Sequence, residues 1–158
     1  MLVISSAVGP VLTAHAQTTP PSTMMASLFS FSGTRPNNLG IHEGLLANCP
    51  DSPNCVSSQS TDVVHHIDPF TYETSGAEAF EKLKTIINSM DNAKIIREDE
   101  DYLYAEFTSA IMGFVDDVEF YLDEADPIIH LRSASRLGES DLGVNRKRVE
   151  TIRSIFES

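Results

Sequence analysis

With 158 residues, the chain has room for one domain with an ordinary hydrophobic core plus a tail. A formal charge of −12 argues against nucleic acid and anionic lipid as partners, because neutralising phosphates needs a basic face. Acid gathers at 98–101 and 116–126, while Arg132, Arg136, Arg146, Lys147, Arg148 and Arg153 make the last quarter basic, so a dipolar body suited to a positively charged partner is expected.

In chain order, residues 2–13 form a short apolar run, interrupted by Gly9-Pro10 and too brief to span a bilayer. Ala14-His15-Ala16 followed by Gln17 fits the small-x-small cleavage rule, so residues 1–16 read as a signal peptide. No Lys or Arg precedes Arg35, so its basic n-region is incomplete. The protein is therefore expected to be exported; translation from Met24 or Met25 would instead leave it cytoplasmic. Residues 17–38 are rich in Thr, Ser, Pro and Asn and are expected to be a flexible linker. Within it, Leu28-Phe29-Ser30-Phe31 is an isolated apolar knot that docks on the domain or grazes a membrane. A single domain is expected over 39–158.

The only two cysteines, Cys49 and Cys55, bracket a Pro/Asn/Asp turn. Their spacing permits a small disulfide loop worth about 2–2.5 kcal/mol in chain entropy. Metal ligation and free or redox-active thiols are the alternatives. Only one of His65 and His66 could join both sulfurs, since neighbouring strand residues point to opposite faces. A CxxC redox motif is absent.

Beyond the cysteines, Val63, Val64 and Ile67 predict a strand at 63–67 that stops at Pro69. Ser75-Gly76-Ala77-Glu78 is a capping box opening a helix whose buried face holds Phe80, Leu83, Ile87 and Met90. Period-two runs at 93–97, 102–109, 115–123 and 128–135 predict four strands, with the acidic 98–101 and Asp126-Pro127 as turns. In the third run Val118, Phe120 and Leu122 are expected inward, and Asp117, Glu119, Tyr121 and Asp123 outward. A last helix over about 145–157 carries Val149, Ile152 and Phe156 on one stripe. The order β-α-β-β-β-β-α predicts an α+β fold, an antiparallel sheet with two helices packed on one face. Its other face would stay open to solvent or a partner.

Two clusters offer chemistry. A hairpin closed at 124–127 sets Tyr121 opposite His130 and Glu119 opposite Arg132, an acid/base set that Tyr104 and Glu106 would join. Such cross-strand pairs equally serve a solvated face. Further on, Ser133, Ser135, Arg136, Asn145 and Arg146 gather where a strand hands over to a helix, a setting for an anion. Glu139 and Asp141 in the same loop offer those donors an internal partner. No Gly-x-Ser-x-Gly elbow, HExxH, P-loop or dinucleotide fingerprint is present.

Several blocks carry a likeness. These are Phe31-Ser32-Gly33 with Arg35-Pro36, the Cys49–Gln59 stretch, Tyr104 to Ser109, Gly113 to Phe120, and Ser133-Ala134-Ser135-Arg136 through Asn145-Arg146. Together they resemble the family catalogued as domain of unknown function 1499, in a version similar to those of cyanobacteria and plastids. That resemblance implies a periplasm or thylakoid lumen, and no activity or catalytic residue. The expected function is a non-catalytic extracytoplasmic binding or assembly module, with no cofactor and no metal. Its expected partner is an unknown protein, such as a membrane-associated complex, or a small anionic ligand, met through the open sheet face and the 133–145 loop. The alternatives are a hydrolase or isomerase using Glu119, Tyr121 and His130, and a thiol or metal sensor using Cys49 and Cys55.

Overall fold

The elements run β1 (Cys55–Ser57), β2 (Phe70–Thr71), α1 (Gly76–Asn88), β3 (Ala93–Glu98), β4 (Tyr102–Thr108), β5 (Val115–Asp123), β6 (Ile128–Ser135) and α2 (Val144–Phe156). They come from a computed structural model that describes residues 31–158. The signal-peptide reading, Leu28-Phe29-Ser30 and the start of the linker lie outside the described residues. All strand pairs are antiparallel, in the order β1-β6-β5-β4-β3, with β2 also on the outer edge of β6. The fold is the expected α+β sheet with two helices.

Alternation decides which side chains meet the helices. Leu103, Ala105 and Phe107 of β4, Val118, Phe120 and Leu122 of β5, and Ile129 and Leu131 of β6 point to one face. There they pack on Phe80, Leu83 and Ile87 of α1 and on Val149, Ile152 and Phe156 of α2. Each fully buried aliphatic or aromatic side chain stabilises by about 1.5–3 kcal/mol, so this cluster dominates the fold. Helix α1 starts where the capping box predicts: Glu78 N–H donates to Ser75 Oγ, and Ser75 N–H donates to the Glu78 carboxylate.

Two local expectations need correction. The strand predicted at 63–67 is a turn, flanked by the short strands β1 and β2. The cause is Asp62, whose Oδ1 accepts from the N–H groups of Val64 and His65 at 3.0 Å each and diverts the backbone from a ladder. Val63 and Val64 are exposed as a result. The second correction concerns the far face of the sheet. Residues 31–48 cross it as an irregular strap, so it is not open. Part of the stretch read as a linker is thereby anchored: Arg35 pairs with Glu106, and Ser32 O accepts from Arg136.

Candidate functional site

The β5–β6 register places Glu119 opposite Arg132 and Tyr121 opposite His130. β4 adds Tyr102, Tyr104 and Glu106 beside them, on the face turned away from the helices. Asp117 and Glu119, expected in solvent, are 1% and 0% exposed. The physical reason is the strap. Leu39, Ile41 and Leu46 settle on Tyr102 and Tyr104, and Gly40 N–H donates to Glu119 Oε1 at 2.8 Å.

Beneath the strap, polar groups bond to one another. Glu119 Oε1 also accepts from the Tyr102 hydroxyl at 2.7 Å, and Oε2 from Arg132 Nη1 at 3.4 Å. Asp117 receives Arg136 through Nε and Nη2 at 2.9 and 2.7 Å, and the Tyr104 hydroxyl at 2.6 Å. Glu106 is shared by Arg136 and Arg35. Gly33, at φ 64, lets the strap come close: a Cβ there would stand 2.9 Å from Arg136 Cβ.

Charge states follow from this packing. Burial pushes the Glu106 carboxyl up, but hydrogen bonds from Arg136, Arg35 and Tyr104 outweigh it and hold it below the usual range. Burial, then the neighbouring carboxylates, raises both Tyr102 and Tyr104, so both phenols remain donors. Burial also pushes the His130 imidazole down, against the opposing pull of Asp123 and Asp126. His130 stacks on Tyr121, with Nδ1 3.1 Å from Ser58 Oγ and Nε2 3.8 Å from Asp123. One group is left over. Arg132 Nε is buried with no hydrogen-bond partner among the described residues.

The second candidate cluster divides. Arg136 belongs to the strap face, while Ser133 and Ser135 point towards the helices. Asn145, fully buried at the start of α2, donates through Nδ2 to Asn54 O, Ser135 Oγ and Asp141 Oδ2. The Asp141 carboxylate also accepts the N–H groups of Gly143 at 3.0 Å and Asn145 at 2.7 Å. The N–H groups at the start of α2 and the Asn145 amide, expected to greet an anion, are thus engaged by Asp141. Arg146 lies apart, donating to Val64 O. Arg148, absent from the sequence candidates, completes the network by joining Ser133, Asn145 and Asp116.

Cys49 and Cys55 form a disulfide with Cα atoms 5.6 Å apart, which ties the strap to edge strand β1. Both sulfurs are engaged, and His65 sits between Asp62 and Ser52 O, so the metal alternative loses its ligands. Among the described residues, no three His, Cys, Asp or Glu side chains assemble as a metal site. No helix among them is long and apolar enough to cross a membrane.

Residues 45–156 match the family model described as protein of unknown function (DUF1499). The chain belongs to the DUF1499 family. No curated protein and no solved structure gives a match. Arg35 and Gly40 of the strap precede the matched stretch, whereas the carboxylates they hold lie within it.

The two ends of this DUF1499 sheet differ sharply. At one, the β3–β4 and β5–β6 turns bring Asp99, Glu100, Asp101, Glu124 and Asp126 together, next to an 830 Å³ cleft against α1. At the other, the β4–β5 turn and the β6–α2 loop expose Ile111, Met112, Phe114, Leu137, Leu142 and Val144. Phe31 joins this second group, its ring 5.4 Å from that of Phe114. Sequence reasoning missed this end. The signal was present: aliphatic residues at Ile111-Met112 and Leu142, inside turns that are otherwise small and polar.

Proposed function

We infer that this protein is an exported, non-catalytic binding or assembly-accessory module that meets its partner through the apolar end of its sheet. One observation carries the reading: seven of the eleven large apolar side chains exposed among the described residues crowd that end. Clusters of this kind mark contact surfaces, and covering the nearly fully exposed Ile111 and Leu142 would contribute about 1.5–3 kcal/mol each. The non-catalytic part is supported by Glu119, which accepts from three donors and has no exposure. That setting suits a structural carboxylate more than a base that must reach a substrate. Export is supported by the disulfide, which persists in oxidising compartments, and by the cleavage motif at 14–16. A periplasm or thylakoid lumen fits the sequence likeness.

A photo-reactive side chain placed at Met112 of the exported protein tests this. Adducts are expected there, with none from the same group at Glu100 on the acidic end. Adducts at Glu100 alone would overturn the reading. A second reading, a small anion held at Arg132, is favoured by the unpartnered Nε. Titration with acetate or inorganic phosphate should then move the Arg132 Nε–H resonance to saturation, and an unmoved signal removes that site.

A further inference from the structure

We propose that the apolar end docks on a neutral lipid surface, with Ile111 and Leu142 entering among the acyl chains; this rests on the apolar-end reading above and names its partner. Ile111 and Leu142 are 95% and 94% exposed, and they stand on separate turns. Leu142 is also held at φ 54, a backbone region that leucine adopts only under constraint. The constraint is visible in the Asp141 cap on Gly143 and Asn145, with Asn145 bonded onward to Ser135 and Asn54. Ile111 lies within a closed turn. Ser109 closes its turn, donating its N–H to Phe114 O at 2.8 Å and accepting Phe114 N–H on Oγ at 3.0 Å.

Both aliphatic tips are therefore presented before any contact is made, so docking does not have to order them. A protein partner would need a fitted socket for each isolated tip. A fluid hydrocarbon layer accepts both without fitting. The chain also enters the domain at this end, where Phe31 lies on Phe114. Charge selects the kind of lipid. Near the tips, Glu139 and Asp141 balance Arg146 and Lys147, while the whole chain carries −12 with acidic turns at the far end. With balanced charge beside the tips and the acid at the far end, an anionic surface gains no attraction there, and uncharged or zwitterionic headgroups suffice.

The chain contains no tryptophan, so an introduced one reports without background. In the full chain, Ile111→Trp should shift its emission to the blue with vesicles of phosphatidylcholine alone, and Glu100→Trp should not. Leu142→Asp, a change at an exposed site, should weaken co-sedimentation with the same vesicles by about tenfold to a hundredfold. No shift at position 111, or an equal shift at position 100, overturns the proposal. So does undiminished sedimentation of Leu142→Asp, which would assign the binding to residues upstream of Phe31. Photo-adducts to a protein at Met112, combined with a silent Ile111→Trp, would sink the lipid and leave the apolar-end reading standing. Failure of both measurements removes both.

Discussion

The helix face and the strap face of the sheet are built from alternate residues of the same strands, and both are closed. On the helix face, Phe120, Leu131 and their neighbours meet apolar partners, and non-directional packing suffices. On the strap face, Glu119, Asp117, Arg136, Tyr102 and Tyr104 are removed from water only because each finds a specific partner. The first face tolerates imperfect fit. The second depends on every bond being made, since one lost partner strands a buried charge.

The contrast can be broken most strongly from the helix side. Phe120→Ala should cost about 3–5 kcal/mol in urea unfolding, with nearly the same loss at pH 7 and pH 4. Arg136→Met should cost about 3 kcal/mol at pH 7, because Asp117 and Glu106 lose their shared guanidinium. Its pH dependence should differ. Glu106 is depressed in the folded state, so its contribution is present above its unfolded value and is lost as pH falls through the folded one. The variant has already lost that contribution, so its deficit should shrink in acid. An acid-independent deficit would mean that the strap face is held by packing after all.

Smaller effects sharpen the picture. Reducing the Cys49–Cys55 disulfide should lower stability by about 2 kcal/mol, read as a shift in the urea midpoint under reductant. Two histidines should titrate on either side of the ordinary value of 6.5, as followed by NMR. His130, pushed down by burial, should come below it, and its contribution to stability is lost as pH falls from 6.5 through its folded value. His65, raised chiefly by its hydrogen bond to Asp62, should come above it, with its contribution present below 6.5 and lost as pH rises through its folded value. Both midpoints at 6.5 would remove these two assignments.

Much of the scaffold was legible because it obeys local rules. The capping box at Ser75 and Glu78 set the start of α1, and period-two alternation set β5 and β6 with their register. The turn at Val63 was missed because valines suggest a strand, and a single Asp62 carboxylate overrides that preference. Burial of Glu119 was missed for a different reason. A carboxylate on an alternating strand reads as exposed, and its cover comes from Gly40, seventy-nine residues away in sequence. Alternation locates a face without saying what else will lie on it. The apolar end was hidden because turns are read for Gly, Pro and Asp, and their aliphatic residues pass unremarked.

The contact between Gly40 and Glu119 has a consequence for variation in this chain. Its donor is a peptide N–H, which neither titrates nor accepts chemical modification, and the backbone there sits at φ 113, where an L side chain is strained. With glycine the clasp closes without strain, whereas a replacement must either bear that φ, at about 1–3 kcal/mol, or draw back from the acid it covers.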